Sequence, residues 1–171
     1  FWGASALCKA GNRLFAGGNQ EDIYYSENDG QNWERSYNYL RKCNALTLLE
    51  NLMFAATANG VFLSPSTSQS WSHTSLNYVE VFSLGVSGGR VFAGTKNLGI
   101  LYSDDNGVNW TQTSLNDKSV TSFHTAGNKI FAGTVANGIF VSTNSGVSWI
   151  QTSLNNYTVK SIQSVNSNLL C

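Results

Sequence analysis

The sequence is poor in charge, proline and cysteine, and each shortage excludes a class of protein. Lys plus Arg and Asp plus Glu number 10 each among 171 residues, and charged residues make up only 12% of the chain. A neutral chain with so few charges lacks the basic footprint of nucleic-acid-binding proteins and of polybasic membrane surfaces. We therefore expect no nucleic-acid partner. The single proline, with many Gly, Asn, Ser and Thr residues, suits strands joined by polar turns.

Long apolar runs and ligand clusters are also missing. No run approaches the roughly 20 apolar residues that span a bilayer, so we expect no membrane span. The three cysteines, Cys8, Cys43 and Cys171, are too few and too irregularly spaced for a disulfide framework or a zinc site, which predicts buried free thiols. His73 and His124 have no Cys or acid at ligand spacing. The sequence therefore predicts no metal and no cofactor.

Two aromatic markers recur with one period along the chain. The tryptophans Trp33, Trp71, Trp110 and Trp149 are spaced by 38, 39 and 39 residues. The phenylalanines Phe15, Phe54, Phe92 and Phe131 are spaced by 39, 38 and 39 residues. The apolar runs between them are short, rich in Val, Ile, Phe and Tyr, and interrupted by Gly and Asn, which is typical of strands. A period of about 40 residues with four short strands indicates a β-propeller.

The third repeat serves as a template for the strands. It predicts strands at Val81–Val86, Arg90–Thr95, Gly99–Ser103 and Asn109–Thr113. In the second strand, bulky Val91 and Phe92 are followed by small Ala93 and Gly94. We expect the bulky residues to fill a core between neighbouring sheets and the small ones to let those sheets approach.

The repeats predict one domain over residues 1–171. Their approximate bounds are 4–38, 39–77, 78–116, 117–155 and a partial unit at 156–171, whose first strand is predicted at Val159–Val165. This gives about four and a half blades, with an open strand edge of a kind that native sheets avoid. Three interpretations stay open: a piece of a larger propeller, a ring closed by another copy or a partner, and a self-sufficient irregular ring.

A polar turn precedes each repeat tryptophan. Its third residue is placed to accept backbone N–H groups, its glycine to adopt a left-handed conformation, and its tryptophan to pack over the hairpin. The second copy has Ser66 and Ser68 in place of the acid and the glycine, so we expect it to be the least regular. The residues that define the four copies are Ser26, Asn28, Gly30 and Trp33; Ser64, Ser66 and Trp71; Ser103, Asp105, Gly107 and Trp110; and Ser142, Asn144, Gly146 and Trp149.

These turns resemble the Asp-box, S-x-D-x-G-x-x-W, of BNR-like repeat β-propellers. That family includes sialidases, xyloglucan-cleaving glycosidases, the sortilin ectodomain and photosystem II assembly-factor-like proteins. The chain is most similar to secreted bacterial repeat proteins of the last kind. The resemblance implies an all-β propeller of four-stranded Asp-box blades and a secreted or cell-surface location. It also implies that the boxes are structural, so that Asp29 and Asp105 are not catalytic.

Catalytic patterns are weak. A sialidase-like site needs three converging arginines, yet Arg13 and Arg90 hold the same repeat position and therefore decorate separate sheets. A glycosidase needs two carboxylates roughly 5 to 10 Å apart, and the available acids lie in loops, where solvated charge is the simpler interpretation. The acids outside the turns are Glu21, Asp22, Glu34, Glu50, Glu80 and Asp117, and those expected in loops on one face are Glu21, Asp22, Glu80 and Asp117. No nucleophile elbow and no phosphate loop is present. The sequence favours a non-enzymatic protein without settling the matter.

The crossovers between repeats hold the least repetitive residues, and variable loops on a regular frame commonly carry function. The predicted binding residues are Tyr37, Tyr39, Arg41, Tyr78, Glu80, Asp117, Lys118, Asn156 and Tyr157. They predict an extracellular scaffold or interaction module that binds a protein partner or further copies of itself. The alternative is a carbohydrate-binding or glycoside hydrolase propeller of which this is a partial chain, with a glycan as partner.

Overall fold

The computed structural model describes residues 3–18, 22–36, 40, 42–165 and 168–171, and these form an all-β structure. They build four antiparallel sheets of four strands and one two-stranded hairpin. The predicted all-β class is thereby confirmed. No helix in the described part of the chain is long and apolar enough to cross a membrane.

Each sheet takes four consecutive strands and keeps them in sequence order. Sheet 1 contains β1 (Ala4–Ala10), β2 (Arg13–Gly18), β3 (Ile23–Ser26) and β4 (Glu34–Arg35). Sheet 2 contains β5 (Cys43–Leu49), β6 (Leu52–Thr57), β7 (Gly60–Pro65) and β8 (Ser72–Asn77). Sheet 3 contains β9 (Val81–Ser87), β10 (Arg90–Thr95), β11 (Ile100–Ser103) and β12 (Thr111–Gln112). Sheet 4 contains β13 (Val120–Ala126), β14 (Lys129–Thr134), β15 (Ile139–Ser142) and β16 (Ile150–Gln151).

The outer strand of the template repeat is shorter than predicted. The predicted strand Asn109–Thr113 is reduced to Thr111–Gln112 because the Asn109 backbone N–H donates to the Asp105 carboxylate at 2.8 Å. That bond holds Asn109 inside the turn, so pairing with β11 begins only after Trp110. The predicted second strand, Arg90–Thr95, agrees with β10, and β9 extends one residue beyond its prediction.

The core lies between the faces of successive sheets. Phe54, Ala56 and Val61 of sheet 2 pack against Val81 and Val91 of sheet 3, and equivalent clusters join sheets 1 and 2 and sheets 3 and 4. The small residues of the second strand permit this approach. A methyl group on Gly94 of sheet 3 would lie 2.8 Å from the Val120 side chain of sheet 4, so only glycine fits there. Face-to-face packing of successive sheets follows from the bulky and small pattern of these strands.

A row of side-chain hydrogen bonds links the first strand of each sheet to the start of the following unit. Asn44 Nδ2 donates to the Val81 carbonyl at 2.7 Å, and Ser83 Oγ donates to the Val120 carbonyl at 2.9 Å. The remaining members of the row are Ser5 to the Cys43 carbonyl and Thr121 to the Val159 carbonyl. Each bond sets the position of one first strand relative to the following unit, because the acceptor is always the residue at the start of that unit.

The fifth unit is a hairpin of β17 (Gln163–Val165) and β18 (Asn168–Leu170). Its first strand was predicted at Val159–Val165, and this prediction is wrong over its first four residues. There the chain packs on sheet 4 instead: the Val159 N–H donates to the Thr134 carbonyl at 3.0 Å, and Val159 and Ile162 are buried against Phe131 and its neighbours. The described sheets do not close into a ring.

Candidate functional surfaces at the two ends of the sheets

The strand order gives every sheet two different ends. Turns between first and second strands and between third and fourth strands share one end, which we call the box end. Loops between second and third strands, together with crossovers to the next sheet, share the other, which we call the loop end. This division follows from antiparallel sequential order alone.

At the box end, the third turn is closed by its own side chains. The Gly107 N–H donates to Ser103 Oγ at 2.8 Å, and the Asn109 N–H and Nδ2 donate to the two Asp105 carboxylate oxygens at 2.8 and 2.7 Å. These hydrogen bonds, led by that of the Asn109 N–H, hold the pKa of Asp105 below its ordinary value. Asn106 and Gly107 both have positive φ, 58° and 85°. The Asp105 carboxylate is therefore occupied in the turn, where it cannot act as an acid or base without breaking it.

Asparagine replaces the aspartate in the first and fourth turns and keeps the same bonds. The Asn32 N–H donates to Asn28 Oδ1 at 2.9 Å, and the Ser148 N–H donates to Asn144 Oδ1 at 3.0 Å. The second turn is built differently. Its Ser66 N–H donates across to the Asn51 carbonyl at 2.8 Å, and β7 continues to Pro65. The loss of the acid and the glycine thus changes the local path, as expected for the least regular copy.

The third and fourth box turns also pack on the preceding sheet. Ser75 of sheet 2 donates its N–H to the Gly107 carbonyl at 3.1 Å, and Ser114 of sheet 3 donates its N–H to the Val147 carbonyl at 3.3 Å. The Trp149 N–H donates to Ser114 Oγ at 3.0 Å. A methyl group on Gly146 would overlap the Phe92 ring. The glycine of the fourth turn is therefore required twice, once for its backbone conformation and once for its contact with the neighbouring sheet.

The arginines of the box end do not converge. Arg13 lies over the Tyr25 ring at 5.1 Å and pairs with Glu27, whereas Arg90 lies over the Tyr102 ring at 4.4 Å and pairs with Asp104 at 3.6 Å. Both residues repeat one local arrangement in sheets 1 and 3. Arg35 pairs with Asp22 at 2.7 Å at the loop end of sheet 1. These described arginines hold separate partners instead of forming one anion site.

At the loop end, crossovers and second-to-third-strand loops are joined by hydrogen bonds into a continuous strip. We call this strip the loop belt; it comprises residues 78–80, 96–99, 117–119, 135–138 and 156–158. The backbone bonds that connect it are Lys96 N–H to the Glu80 carbonyl at 2.9 Å, Gly99 N–H to the Lys118 carbonyl at 3.0 Å, Val135 N–H to the Ser119 carbonyl at 3.0 Å and Gly138 N–H to the Tyr157 carbonyl at 2.8 Å. Ser119 Oγ also donates to the Lys96 carbonyl.

The loop belt presents apolar side chains on this fixed backbone. Tyr78 is 84% exposed, Tyr157 63%, Leu98 44% and Val135 41%. Its charges are paired internally: Lys96 Nζ lies 2.8 Å from Glu80 Oε2, and Lys118 Nζ lies 2.9 Å from Asp117 Oδ2. Exposed tyrosines beside few unpaired charges are common at surfaces that bind another protein.

The structure describes only some of the predicted binding residues. Tyr37, Tyr39 and Arg41 lie outside the described residues, as does Glu21. The other predicted residues, Tyr78, Glu80, Asp117, Lys118, Asn156 and Tyr157, all lie in the loop belt. Sequence reasoning missed Leu98 and Val135. Both are apolar residues in otherwise polar loops, and this difference could have identified them.

The cysteines differ in exposure. Cys43 is fully buried, and burial raises the pKa of its thiol to about 12, which keeps it protonated and unreactive. Burial also raises the pKa of the half-buried Cys8 thiol. Cys171 is exposed, so the prediction of buried thiols is wrong for this residue, which follows the hairpin's last strand. Within the described residues, no group of three or more His, Cys, Asp or Glu side chains is arranged to hold a metal ion.

Comparisons with known proteins give matches of fold only. No family model and no curated protein matches the chain. Among solved structures, an ancestral GH74 enzyme superposes with a TM-score of 0.77 at 18% identity over 88% of this chain. The extracellular domain of the one-component system BT4673 from B. thetaiotaomicron gives 0.77 at 17% identity over 97%. YCF48 bound to D1 peptide gives 0.66 at 19% identity over 90%. These neighbours show a β-propeller fold.

The chain is much shorter than these proteins. It spans 24% of the GH74 enzyme, 26% of the BT4673 domain and 54% of YCF48. What each of them binds or cleaves is therefore a property of a larger molecule.

Proposed function

We propose that the chain is a non-enzymatic, extracellular propeller scaffold whose loop belt binds a protein partner. The observation that carries this proposal is the set of four exposed apolar side chains on a hydrogen-bonded backbone strip. A rigid strip loses little conformational entropy on binding, and exposed tyrosines are frequent anchors of protein interfaces. YCF48, a neighbour of the same fold, is bound to a peptide, and the BT4673 neighbour is an extracellular domain, which supports both parts of the proposal.

The acids of the loop belt favour binding over hydrolysis. Glu80 and Asp117 each form an ion pair with a lysine, at 2.8 and 2.9 Å. A glycosidase keeps one carboxyl group protonated and the other ionised beside the scissile bond. Glu80 and Asp117 instead each lie against the ammonium group of a lysine.

The test is affinity capture from the secreted fraction of the source organism, followed by binding measurements with the purified partner. The double variant Tyr78→Ala/Tyr157→Ala is compared with Val108→Ala, which removes a side chain that is 66% exposed at the box end. We expect the double variant to weaken binding by about tenfold or more and the control to bind as the parent does. Equal affinity for parent and double variant would contradict the proposal.

A second candidate is carbohydrate binding, alone or as part of a glycoside hydrolase. The observation that favours it is the neighbourhood of exposed Tyr78 and Tyr157 to exposed asparagines, since rings stack on sugars and amides bond to hydroxyl groups. GH74 enzymes share the fold, which adds support. Retardation by neutral polysaccharides in affinity electrophoresis, lost in the same double variant, would favour this function. Release of reducing sugar would identify an enzyme.

A further inference from the structure

One residue of the loop belt has a backbone conformation that its side chain does not favour. Tyr78 has a φ of 57°, in the left-handed region. Asparagine and glycine adopt this region at little cost, whereas a bulky aromatic residue there is strained. The fourth crossover has Asn156 at the same repeat position, with a φ of 61°. Tyr78 therefore occupies a place that suits a small polar residue.

The surrounding backbone imposes this conformation on Tyr78. Its N–H donates to the Asn59 carbonyl at 3.2 Å. The crossover just before it lies so close to Gly60 that a methyl group there would overlap the Leu76 carbonyl oxygen and lie 2.7 Å from Asn77 Cα. Because these contacts hold the backbone, the strain persists instead of being relieved by a shift of the turn.

The ring of Tyr78 does not offset this cost by packing within the chain. It is 84% exposed, and among the described residues its hydroxyl group has no hydrogen-bond partner and its ring stacks on no other ring. The other exposed tyrosine of the loop belt, Tyr157, has no positive φ. A residue that strains the free chain without a packing gain is typical of a site that contacts another molecule.

We propose that Tyr78 is the anchor of the loop belt and that it inserts into an apolar pocket on the surface of a folded partner protein. This inference rests on the proposed function, because it assigns the residue that dominates binding there and the shape of the partner. A sugar or an extended peptide covers one face of an aromatic ring. A ring as exposed as that of Tyr78 presents both faces and its edge, and only a concave surface covers all of them. The pocket also needs a hydrogen-bonding group for the tyrosine hydroxyl.

The strain is tested by thermal unfolding of the 171-residue chain. Tyr78→Asn removes both the ring and the strain, so we expect the melting temperature to rise by about 2–4 °C. Tyr157→Asn is the matched control, because it removes an exposed ring from a residue without a positive φ, and it should leave the melting temperature nearly unchanged. Equal shifts for the two variants, or a fall for Tyr78→Asn, would overturn the inference whatever the partner is.

The anchor is tested by retention on columns that carry the parent chain, Tyr78→Asn or Tyr157→Asn. Each column receives the secreted fraction of the source organism, either native or digested with trypsin, and mass spectrometry quantifies what is retained. We expect the parent column to retain an intact protein that the Tyr78→Asn column retains about tenfold less. The Tyr157→Asn column should retain most of that protein, and the digest should give no retained peptides.

The outcomes separate the anchor from the proposed function. Equal retention by the parent chain and Tyr78→Asn overturns this inference and leaves the proposed function in place, whereas a parent column that retains no protein overturns both. Retention of digested peptides, or release of the protein by a neutral polysaccharide, also overturns the inference, because an extended peptide or a sugar would then occupy the ring.

Discussion

At the scale of single residues, the box glycines carry two separate requirements. Gly146 has a φ of 81° and no room for a methyl group because of the Phe92 ring. Gly30 has a φ of 87°, but the nearest atoms to an added methyl group, from Trp33 and Leu14, are 3.6 and 3.9 Å away. The first turn thus has the backbone requirement without the packing requirement.

We predict different costs for alanine at these two glycines. Gly30→Ala should lower the free energy of unfolding by about 1 kcal/mol, the cost of a left-handed alanine. Gly146→Ala should lower it by about 2–4 kcal/mol, because displacement of Phe92 is added. Urea denaturation of both variants measures the difference. Equal losses would show that the contact between sheets contributes nothing.

Asp105 gives a prediction of pH dependence. The bonds from Asn109 and Ser103 lower its folded-state pKa, so its stabilising effect is present above the unfolded value of about 4 and is lost as the pH falls through the lower folded value. Asn28 and Asn144 show that asparagine makes the same turn bonds without titrating. We therefore expect Asp105→Asn to flatten the fall of melting temperature below about pH 4. Parallel curves for parent and variant between pH 5 and about pH 2 would contradict this assignment.

At the scale of elements, the row of bonds between first strands sets the position of each sheet. Ser83 and Ser122 hold the same position in β9 and β13. Ser83 Oγ donates to the Val120 carbonyl, but Ser122 Oγ is buried without a hydrogen-bond partner, since Thr121 supplies the bond to Val159. The hydroxyl group at this position therefore bonds to the next unit in sheet 3 but forms no such bond in sheet 4.

This pair provides a matched test of the row. Ser83→Ala should lower the free energy of unfolding by about 1–3 kcal/mol, because it leaves a buried carbonyl unsatisfied. Ser122→Ala should be neutral or stabilising, because it removes a buried hydroxyl that has no partner. Thermal or urea unfolding of the two variants is sufficient. A loss for Ser122→Ala as large as that for Ser83→Ala would argue that the hydroxyls act by packing alone.

At the scale of the whole molecule, the sequence predicts the strands and their order better than the surfaces. The spacing of tryptophans and phenylalanines predicts four sheets because every unit packs bulky residues at the same positions against the next unit. Surface exposure does not follow the repeat. Leu40 and Tyr78 both stand seven residues after a repeat tryptophan, yet Leu40 is 1% exposed and Tyr78 is 84% exposed. Whether a crossover side chain is buried depends on the loop that packs beside it, and the repeat pattern does not show which loop that is.

The contacts between a box turn and the preceding sheet were likewise not predictable from the sequence. Ser75, Ser114 and Ser153 recur in one tripeptide, which the sequence presents only as a polar crossover. The bonds of Ser75 and Ser114 to the next box turn join residues more than 30 positions apart, such as Ser75 Oγ and the Gly107 carbonyl, 32 residues apart. A period reveals that a residue is repeated, but only the packed sheets reveal which unit it contacts.

The joint between sheets has a consequence for the history of such a chain. Each complete unit brings one box, which packs on the unit before it, and one phenylalanine and one serine, which contact the box of the unit after it. An in-frame duplication of one period, 39 residues between Trp71 and Trp110, therefore supplies both halves of every new joint at once. The new copy can then pack on its neighbours without a substitution elsewhere in the chain. Growth and shortening of the array by recombination are open to this architecture in steps of one sheet, in the manner of other repeat proteins.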